Sequence, residues 1–299
     1  MSSPIDLSLL QRWVGNTETS QDTITLAPVR SMSALLDRDD AAPQVGDGLP
    51  PLWHWMYFLP AAKQSDLGED GHAKRGGFLP PVPLPRRMWA GGQLEFIRPI
   101  HLGDPLTRTS TIQSVKHKQG KSGDLVFVTV EHRYDDKHGP CLHEVHDIVY
   151  RPVVNADDKP ALPTSAATLI DASPHAQPVW RREITPDETM LFRYSALTFN
   201  AHRIHYDRSY ATDVEEYPGL VVHGPLIATL LVDLLRRHTD RPLKRFTFKA
   251  VRPTFECADQ RLLQVNAQLH SDRQHCRLWA QDHEGWLTMQ ADAELGVAP

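Results

Sequence analysis

The chain has 299 residues, of which 40% are hydrophobic and 23% charged, with a formal net charge of −5. These proportions are ordinary for a globular protein and predict neither disorder nor a fibrous repeat. The acidic balance leaves no overall basic excess to neutralise a phosphate backbone, so we expect no nucleic-acid partner. Because domains typically hold about 100–200 residues, two domains are the natural expectation.

The cysteines and the apolar stretches bear on the compartment. Cys141, Cys257 and Cys276 are odd in number, lie far apart and show no CxxC spacing, so we expect no disulfide framework and no metal site. The first 20 residues resemble neither a signal peptide nor a transit peptide. The longest apolar stretches fall below the roughly 18 residues that indicate a membrane span. We therefore predict a cytoplasmic protein without a membrane partner.

A change of composition divides the chain into two halves. Residues 151–178 are rich in Pro, Ala, Ser and Asp and show no sustained periodicity, which is typical of a linker. The sequence thus predicts an N-terminal domain over 1–150 and a C-terminal domain over 179–299.

In the first half, a short helix is predicted at Ser8–Val14. The apolar run Pro50–Ala62 is predicted to form a buried helix or an apolar lid. Proline excludes a regular helix over Gly76–Pro85. Alternating and β-branched residues predict strands at Gln93–Phe96, Leu106–His117, Leu125–Asp135 and Leu142–Arg151, with Gly- and Asp-containing turns at Lys118–Asp124 and Asp136–Pro140.

The second half repeats this plan. A helix is predicted over Pro186–Thr198, because Thr185 precedes a proline and two acids. A stronger helix is predicted over His223–His238, where leucines form a wide apolar stripe. Strands are predicted at Arg245–Val251, Arg261–Ser271, Gln274–Asp282 and Trp286–Leu295. A weak repeat relates Glu95–Leu106 to Lys249–Leu262, so a duplicated α+β unit is expected.

The chemistry is concentrated in residues 192–226, FRYSALTFNAHRIHYDRSYATDVEEYPGLVVHGPL. His202, His205 and His223 lie in this segment, and Gly224 opens the strongest helix. Histidine transfers protons near neutral pH, and the first N–H groups of a helix attract a ligand oxygen. On these residues alone, a catalytic site and a histidine-rich surface loop both remain open.

At these residues the chain resembles the MaoC-type, or R-specific, enoyl-CoA hydratases and dehydratases, whose fold is the hotdog. The matching positions are Asn200, His202, His205, Asp207, Ala211, Gly219, His223 and Gly224. ALTFNAHRIHYD and PRRMWAGG resemble a double-hotdog subgroup with an N-terminal FAS1-like dehydratase domain, which includes mesaconyl-CoA and itaconyl-CoA hydratases. The resemblance implies an α+β tandem hotdog, each a long helix wrapped by an antiparallel sheet, with a non-catalytic first half.

The resemblance also implies roles for single residues. His205 is expected to carry the proton transfer, and the N–H of Gly224 to hold the thioester oxygen. Asn200 stands where the wider family has a catalytic Asp; an amide cannot accept a proton as a base, so we expect Asn200 to orient water. Substrate contacts are predicted for Arg86, Arg87, Trp89, Arg203, His202 and His223. For His223 a structural role as cap or core histidine is favoured, and for the arginine pair a solvated surface position stays open.

The implied activity is that of a hydro-lyase acting on a short dicarboxylic enoyl-CoA, such as itaconyl-CoA or mesaconyl-CoA, with citramalyl-CoA as product. An (R)-3-hydroxyacyl thioester dehydratase of fatty acid metabolism is the alternative, and an inactive acyl-CoA-binding module is a reading from another class. No cofactor is expected, because coenzyme A is part of the substrate, and no metal is expected. Itaconate catabolism is the expected context and a homodimer the expected assembly.

Overall fold

The computed structural model describes residues 5–120, 123–152, 163–173, 176–256 and 262–297. Its α-helices are α1 (Leu7–Leu10), α2 (Leu26–Leu35), α3 (Glu188–Thr198) and α4 (Gly224–Arg236). Short 3₁₀ turns occupy Gln11–Trp13, Trp53–Met56, Gln64–Asp66, Ala166–Leu169 and Arg203–His205, and a π turn occupies Tyr210–Val214. None of these described helices is long and apolar enough to cross a membrane.

Strands make up the rest of the architecture. Their bounds are β1 (Thr17–Thr23), β2 (Arg86–Phe96), β3 (Pro105–Gly120), β4 (Gly123–Asp136), β5 (Gly139–Arg151), β6 (Val179–Ile184), β7 (Leu243–Ala250), β8 (Leu263–Leu269), β9 (His275–Gln281) and β10 (Leu287–Leu295). In the described part of the chain they form one antiparallel sheet in the order β1-β3-β4-β5-β2-β7-β10-β9-β8-β6. Strands of the first half therefore fill one side of the sheet and strands of the second half the other.

The two halves meet where β2 pairs with β7, from Gly91 opposite Lys249 to Glu95 opposite Arg245. At Gly91 a side chain is impossible, because a Cβ there would lie 2.5 Å from the carbonyl oxygen of Phe248. Glycine thus allows the two strands to approach closely at the joint. The joint brings the loops that precede β2 next to elements of the second half.

Helix α4 is the centre of the second half. Every residue from 226 to 235 is buried, and the helix packs against β6, β8, β9 and β10. Its buried leucines each contribute about 1.5–3 kcal/mol by leaving water. The predicted helix over His223–His238 is confirmed, with ends at Gly224 and Arg236.

Within α4 one buried carboxylate, Asp233, is paired on three sides. Arg38, Arg182 and Arg237 contact it at 2.8, 2.9 and 2.7 Å. Arg38 follows α2 and Arg182 lies on β6, so this network ties the central helix to elements from both halves.

Several elements differ from the sequence prediction. The longer of the two described helices of the first half is α2, which we did not predict; its segment LAPVRSMSAL mixes proline, serines and an arginine into the apolar pattern. Strands β1 and β6 were also missed, because TETSQDT and VWRREI lack apolar alternation. The predicted helix or lid at Pro50–Ala62 is a buried 3₁₀ turn, Trp53–Met56.

Other expectations are confirmed. The short helix predicted at Ser8–Val14 corresponds to α1 and the 3₁₀ turn Gln11–Trp13. The four predicted strands of each half are present, with β2 beginning at Arg86 instead of Gln93. Cys141 and Cys276 are free and buried; Cys257 lies outside the described residues.

The predicted linker falls partly outside the described residues, at 153–162 and 174–175. Between these gaps, Ser165 bridges to Trp286, and Ala166 is packed with Trp279 and Leu287. The described part of this segment therefore lies against the second half. The boundaries at 150 and 179 stay a prediction.

Candidate active site

The histidine segment is shaped by local hydrogen bonds between α3 and α4. Helix α3 ends at Thr198 and is capped by Phe199, which adopts a left-handed conformation with φ of 48°. The side-chain oxygen of Asn200 then accepts a hydrogen bond from the amide of His202 at 3.0 Å, closing an Asx turn. A 3₁₀ turn over Arg203–His205 follows, and the amide of Val221 bonds to the carbonyl of Ile204 at 2.9 Å. This bond places the strand-like segment before α4 beside the turn.

His205 is buried and held in one tautomer. The residue is only 8% exposed, and its Nδ1–H donates to the carbonyl of Val221 at 2.7 Å. Because a carbonyl oxygen can only accept, the other nitrogen, Nε2, carries the lone pair. Burial lowers the pKa of His205 to about 4, although the bond to Val221 opposes this. The imidazole is therefore neutral near pH 7 and has the form of a general base.

His223 lies against His205 with ring centroids 3.7 Å apart and nearly parallel planes, at 19°. Its Nε2 is 2.8 Å from the hydroxyl of Ser195, whereas its Nδ1 is buried and has no hydrogen-bond partner among the described residues. The residue is 1% exposed and its side chain does not cap α4. Burial and the neighbouring His205 hold the pKa of His223 well below its usual value. His223 is thus a neutral core histidine that supports the His205 ring; substrate contact stays a prediction.

The side-chain oxygen of Asn200 already accepts one hydrogen bond within the loop. Oδ1 accepts the His202 amide, so one of its two lone pairs and the NH₂ group remain for a ligand or a water. The amide can donate to a bound ligand or water, and it cannot act as a base. Its contact with water stays a prediction.

Gly224 is the first residue of α4, directly after His223. A Cβ built on Gly224 would meet nothing within 4 Å, so the backbone borders open space. Its N–H makes no hydrogen bond with any described residue. A free amide at the positive end of a 13-residue helix is suited to stabilise a negative oxygen.

A hairpin of the first half packs onto the histidine segment. Leu67 and Ala73 form a bridge, and at the turn Gly71, with φ of 87°, a Cβ would lie 1.8 Å from the carbonyl oxygen of Ala201. The amide of Arg203 donates to the carbonyl of Asp70 at 2.9 Å. The hairpin can approach this closely only because residue 71 is glycine.

This hairpin carries a carboxylate–imidazole pair. Asp70 Oδ2 is 3.0 Å from Nδ1 of His72, and the His72 ring lies 4.0 Å from that of His202. The His202 ring in turn lies 5.4 Å from that of His205, at 89°. Four side chains from two halves thus form one continuous cluster. Burial, His72 and His205 lower the pKa of His202, so His202 is also neutral.

Metal-ligand atoms of Asp70, His72 and His202 lie within 4.8 Å of one another. Arg87 and Arg75 both lower the pKa of His72 after burial, the largest cause. Two guanidinium groups that act on the cluster disfavour a bound cation there. The expectation that the site uses no metal stays a prediction.

The predicted substrate-binding arginines lie in different surroundings. Arg86 is paired with Glu215 at 3.1 Å and lies over the ring of Tyr217. Arg203 is paired with Asp207 at 2.7 Å. Arg87 has no ion pair within the described ranges, and after burial its charge contributes to the lowered pKa of His72. Arg87 bonds to the hydroxyl of Tyr150 but to no carboxylate of the described residues, so it is the guanidinium of the three that is not neutralised by an acid.

Trp89 lies on β2 in an aromatic cluster. Its ring is 5.0 Å from Trp55, 5.5 Å from Phe248 and 4.1 Å from His146, and its Nε1–H donates to the carbonyl of Gly91 at 2.7 Å. These contacts give Trp89 a packing role at the joint of the two halves. Its predicted contact with substrate stays untested.

Sequence reasoning missed Asp70 and His72, which precede the histidine segment by about 130 positions. Only the Gly-Glu-Asp-Gly-His order marks a turn there, and a turn signal does not say which distant segment it packs against. It also missed Ser195, which reads as an ordinary helix residue.

Comparisons with known proteins identify the relatives of this chain. The profile of the family described as hydroxyacyl-thioester dehydratase type 2 matches residues 52–256, which span both the hairpin and the histidine segment. A curated relative from Chloroflexus aurantiacus, mesaconyl-C(4)-CoA hydratase, is 46% identical over 284 residues, covering 95% of this chain and 97% of its own.

Solved structures give the fold. A MaoC-like dehydratase superposes with a TM-score of 0.67 at 15% identity, covering 94% of this chain and 98% of its own. A conserved hypothetical protein from Mycobacterium tuberculosis with a double hotdog fold has a TM-score of 0.56 at 14% identity, covering 95% and 96%. The predicted tandem hotdog is thereby confirmed.

Proposed function

Because the chain belongs to the hydroxyacyl-thioester dehydratase type 2 family, we propose that it is a hydro-lyase that reversibly hydrates a short enoyl-CoA. Its substrate is a dicarboxylic thioester such as mesaconyl-CoA or itaconyl-CoA, and its product is citramalyl-CoA. The name and 46% identity of the Chloroflexus relative support the dicarboxylic class. The observation that carries the proposal is His205, a buried neutral base stacked on His223, the residue directly before the free amide of Gly224.

The geometry supports the following sequence of events. The thioester oxygen accepts a hydrogen bond from Gly224 N–H, which draws electrons from the double bond. Nε2 of His205 removes a proton from water as the water oxygen bonds to the β carbon. The electron pair of the double bond moves onto the thioester as an enolate, and the α carbon then takes up a proton. Dehydration runs through the same steps in reverse.

His223 and Asn200 assist without exchanging protons. The parallel ring of His223 fixes the plane of His205, and the NH₂ group of Asn200 donates to the attacking water. No cofactor takes part in this scheme, because coenzyme A belongs to the substrate.

A guanidinium selects the free carboxylate of the acyl group in this proposal. Arg87 is the better candidate than Arg86, because Arg86 is already neutralised by Glu215. Arg binds carboxylates with two parallel hydrogen bonds, which gives both affinity and orientation. The Arg87 charge acts on His72 and His202, so a carboxylate held there would lie at the edge of the histidine cluster.

The second candidate function is an (R)-3-hydroxyacyl thioester dehydratase, which the family description favours. It uses the same reaction in the opposite direction, with an acyl chain lacking the second carboxylate. A non-enzymatic alternative is an acyl-CoA-binding module without activity. It is favoured by Asn200, which stands where the wider family has a catalytic Asp.

We further propose a cytoplasmic setting and a homodimer. The free thiols of Cys141 and Cys276 suit a reducing compartment.

The test is incubation of the purified protein with a panel of enoyl-CoA thioesters, including mesaconyl-CoA, itaconyl-CoA and crotonyl-CoA. Mass spectrometry is expected to detect a gain of about 18 mass units, one water, on the dicarboxylic substrates. Preferential turnover of crotonyl-CoA and longer chains would favour the dehydratase, and binding without turnover of any thioester would favour the inactive module.

A further inference from the structure

The histidine cluster lacks one component that reversible hydration requires. Adding water moves two protons: one leaves the water oxygen, and one arrives at the α carbon. His205 can accept the first proton at Nε2, because its Nδ1–H is bonded to Val221. Asn200 cannot provide for the second, because an amide has no exchangeable acid–base proton near neutral pH.

Asp70 bonds directly to a histidine of the cluster, and Asp207 follows His205 by two positions in the sequence. Asp207 is 2.7 Å from the Arg203 guanidinium and also accepts from the amide of Tyr210, so its charge and oxygens are used. Asp70 has no arginine partner among the described residues and bonds to His72 instead. Asp70 is therefore the carboxylate that bonds to the cluster without being neutralised by an arginine of the described residues.

Asp70 fixes the His72 ring in the same way that Val221 fixes His205. One carboxylate oxygen accepts from the backbone amide of His72 at 3.0 Å and the other from Nδ1–H at 3.0 Å. Nε2 then carries the lone pair, and the side chain is 24% exposed, so a bound ligand has access to it. His72 and His205 thus come from different halves of the chain, and in each the Nδ1–H donates a hydrogen bond.

We propose that His72, oriented by Asp70, is the second acid–base residue of the site, so that the first half of the chain supplies the carboxylate that position 200 lacks. The inference rests on the proposed hydration activity. In hydration, water gives a proton to Nε2 of His205 and its oxygen bonds to the β carbon. The enolate α carbon takes a proton from Nε2 of His72, and exchange with solvent restores both imidazoles.

The charges around His72 define its pH behaviour. Burial lowers the pKa of His72, Asp70 raises it, and Arg87 and Arg75 lower it; the His202 ring in contact with it is neutral. A substrate carboxylate next to Arg87 would add negative charge and favour the protonated ring in the complex. Hydration requires protonated His72, so kcat/KM falls as pH rises through its pKa.

The test compares His72→Gln, Asp70→Asn and the wild type with mesaconyl-CoA as substrate. Gln can still donate to Asp70 but transfers no proton, so His72→Gln is expected to lose about 100-fold or more in kcat with little change in KM. Asn at position 70 still accepts from the His72 amide but lacks charge, so Asp70→Asn is expected to move the alkaline limb of the pH profile to lower pH. The matched control is His275→Gln, because His275 forms the same kind of pair with Asp272 on the surface, at 2.7 Å.

The outcomes separate this inference from the proposed function. A wild type that hydrates no thioester removes both. If the wild type is active, two results overturn only the role of His72. One is a His72→Gln variant that keeps its activity, and the other is an Asp70→Asn variant whose pH profile is unchanged. Activity that is lost to a chelator and restored by Zn²⁺ would also overturn it, in favour of a metal centre. Circular dichroism and thermal unfolding confirm that each variant is folded before its rate is compared.

Discussion

Two of the buried polar clusters among the described residues differ in how completely their hydrogen bonds are satisfied: the cluster around Glu144 in the first half, and the histidine cluster, to which Asp70 and His72 of the first half also belong. In the first half the carboxylate of Glu144, which is 0% exposed, accepts four hydrogen bonds, from His54 at 3.0 Å, Trp55 at 2.7 Å, Tyr134 at 3.1 Å and His146 at 2.6 Å. In the second half, His223 Nδ1 and Gly224 N–H have no partner among the described residues.

The difference teaches which cluster acts on a ligand. A buried network whose members all bond to each other rigidifies a core and offers nothing to a substrate. A cluster that leaves a helix amide beside open space and an imidazole nitrogen without a partner keeps groups available for chemistry. Both clusters contain histidines on short spacings, so residue type alone does not separate them.

The largest effect that we predict concerns the satisfied cluster. Glu144→Gln is expected to lower the free energy of unfolding by about 3 kcal/mol, because removal of one member leaves buried partners uncompensated. The change in kcat per folded molecule should be small. Urea unfolding measures the first quantity and active-site titration with rate measurement the second.

The matched control is Glu131→Gln, because Glu131 pairs with His143 at 2.6 Å near the surface, where such pairs contribute about 0–1 kcal/mol. Burial alone would raise the pKa of Glu144, but His146 and His54 hold it well below its usual range. A lowered pKa stabilises the fold above the unfolded value of about 4.3. The advantage of wild type over Glu144→Gln should therefore shrink as pH falls below that value. Equal stability of the two proteins at pH 7 would mean that the comparison is wrong.

The second prediction concerns the histidine cluster, where we expect the main effect to be on the catalytic rate. His205→Ala is expected to lower kcat by about 100-fold or more, or about 2.7 kcal/mol, measured per folded molecule, because loss of the buried hydrogen bond to Val221 also destabilises the fold. His275→Ala, on the surface, serves as the control. In wild type, kcat/KM should fall as pH drops through about 4, because burial lowers the pKa of His205 to about 4 and its protonated form cannot accept from water. A folded His205→Ala variant with a near-normal rate would remove this residue from the mechanism.

The third prediction concerns specificity. Arg87→Met is expected to depress kcat/KM for mesaconyl-CoA or itaconyl-CoA by more than tenfold, or about 1.4 kcal/mol, and to leave crotonyl-CoA nearly unchanged. Arg86→Met is the matched control, since its partner is Glu215. Equal losses of kcat/KM on both substrates would indicate contact with the coenzyme A phosphates. No loss on either substrate would mean that Arg87 does not contact the substrate.

How far the sequence predicts this molecule depends on the range of the interactions. The apolar stripe of α4 and the alternating strands are local patterns, and the structure has both. Strand β1 is polar because it is an exposed edge paired only with β3 in the described sheet, so it carries no apolar signal. The Asp70–His72 pair reaches the site through tertiary packing permitted by Gly71, and no local pattern reports such a contact.

The smallest effect that we predict separates two roles of Asn200. Its Oδ1 closes the turn to the His202 amide, whereas its NH₂ group is the part proposed to hold water. Asn200→Ala removes both and is expected to lower kcat about tenfold with a smaller change in KM, because a donor to the attacking water matters mainly in the transition state. Asn200→Ser keeps an oxygen that can close the turn but is too short to replace the amide. If the NH₂ group acts on water, both variants lose kcat alike; if the turn alone matters, the Ser variant recovers the wild-type rate. Steady-state kinetics on mesaconyl-CoA, with thermal unfolding to confirm the turn, distinguishes the two, and full recovery in Ser would reduce Asn200 to a residue that only shapes the loop carrying His205.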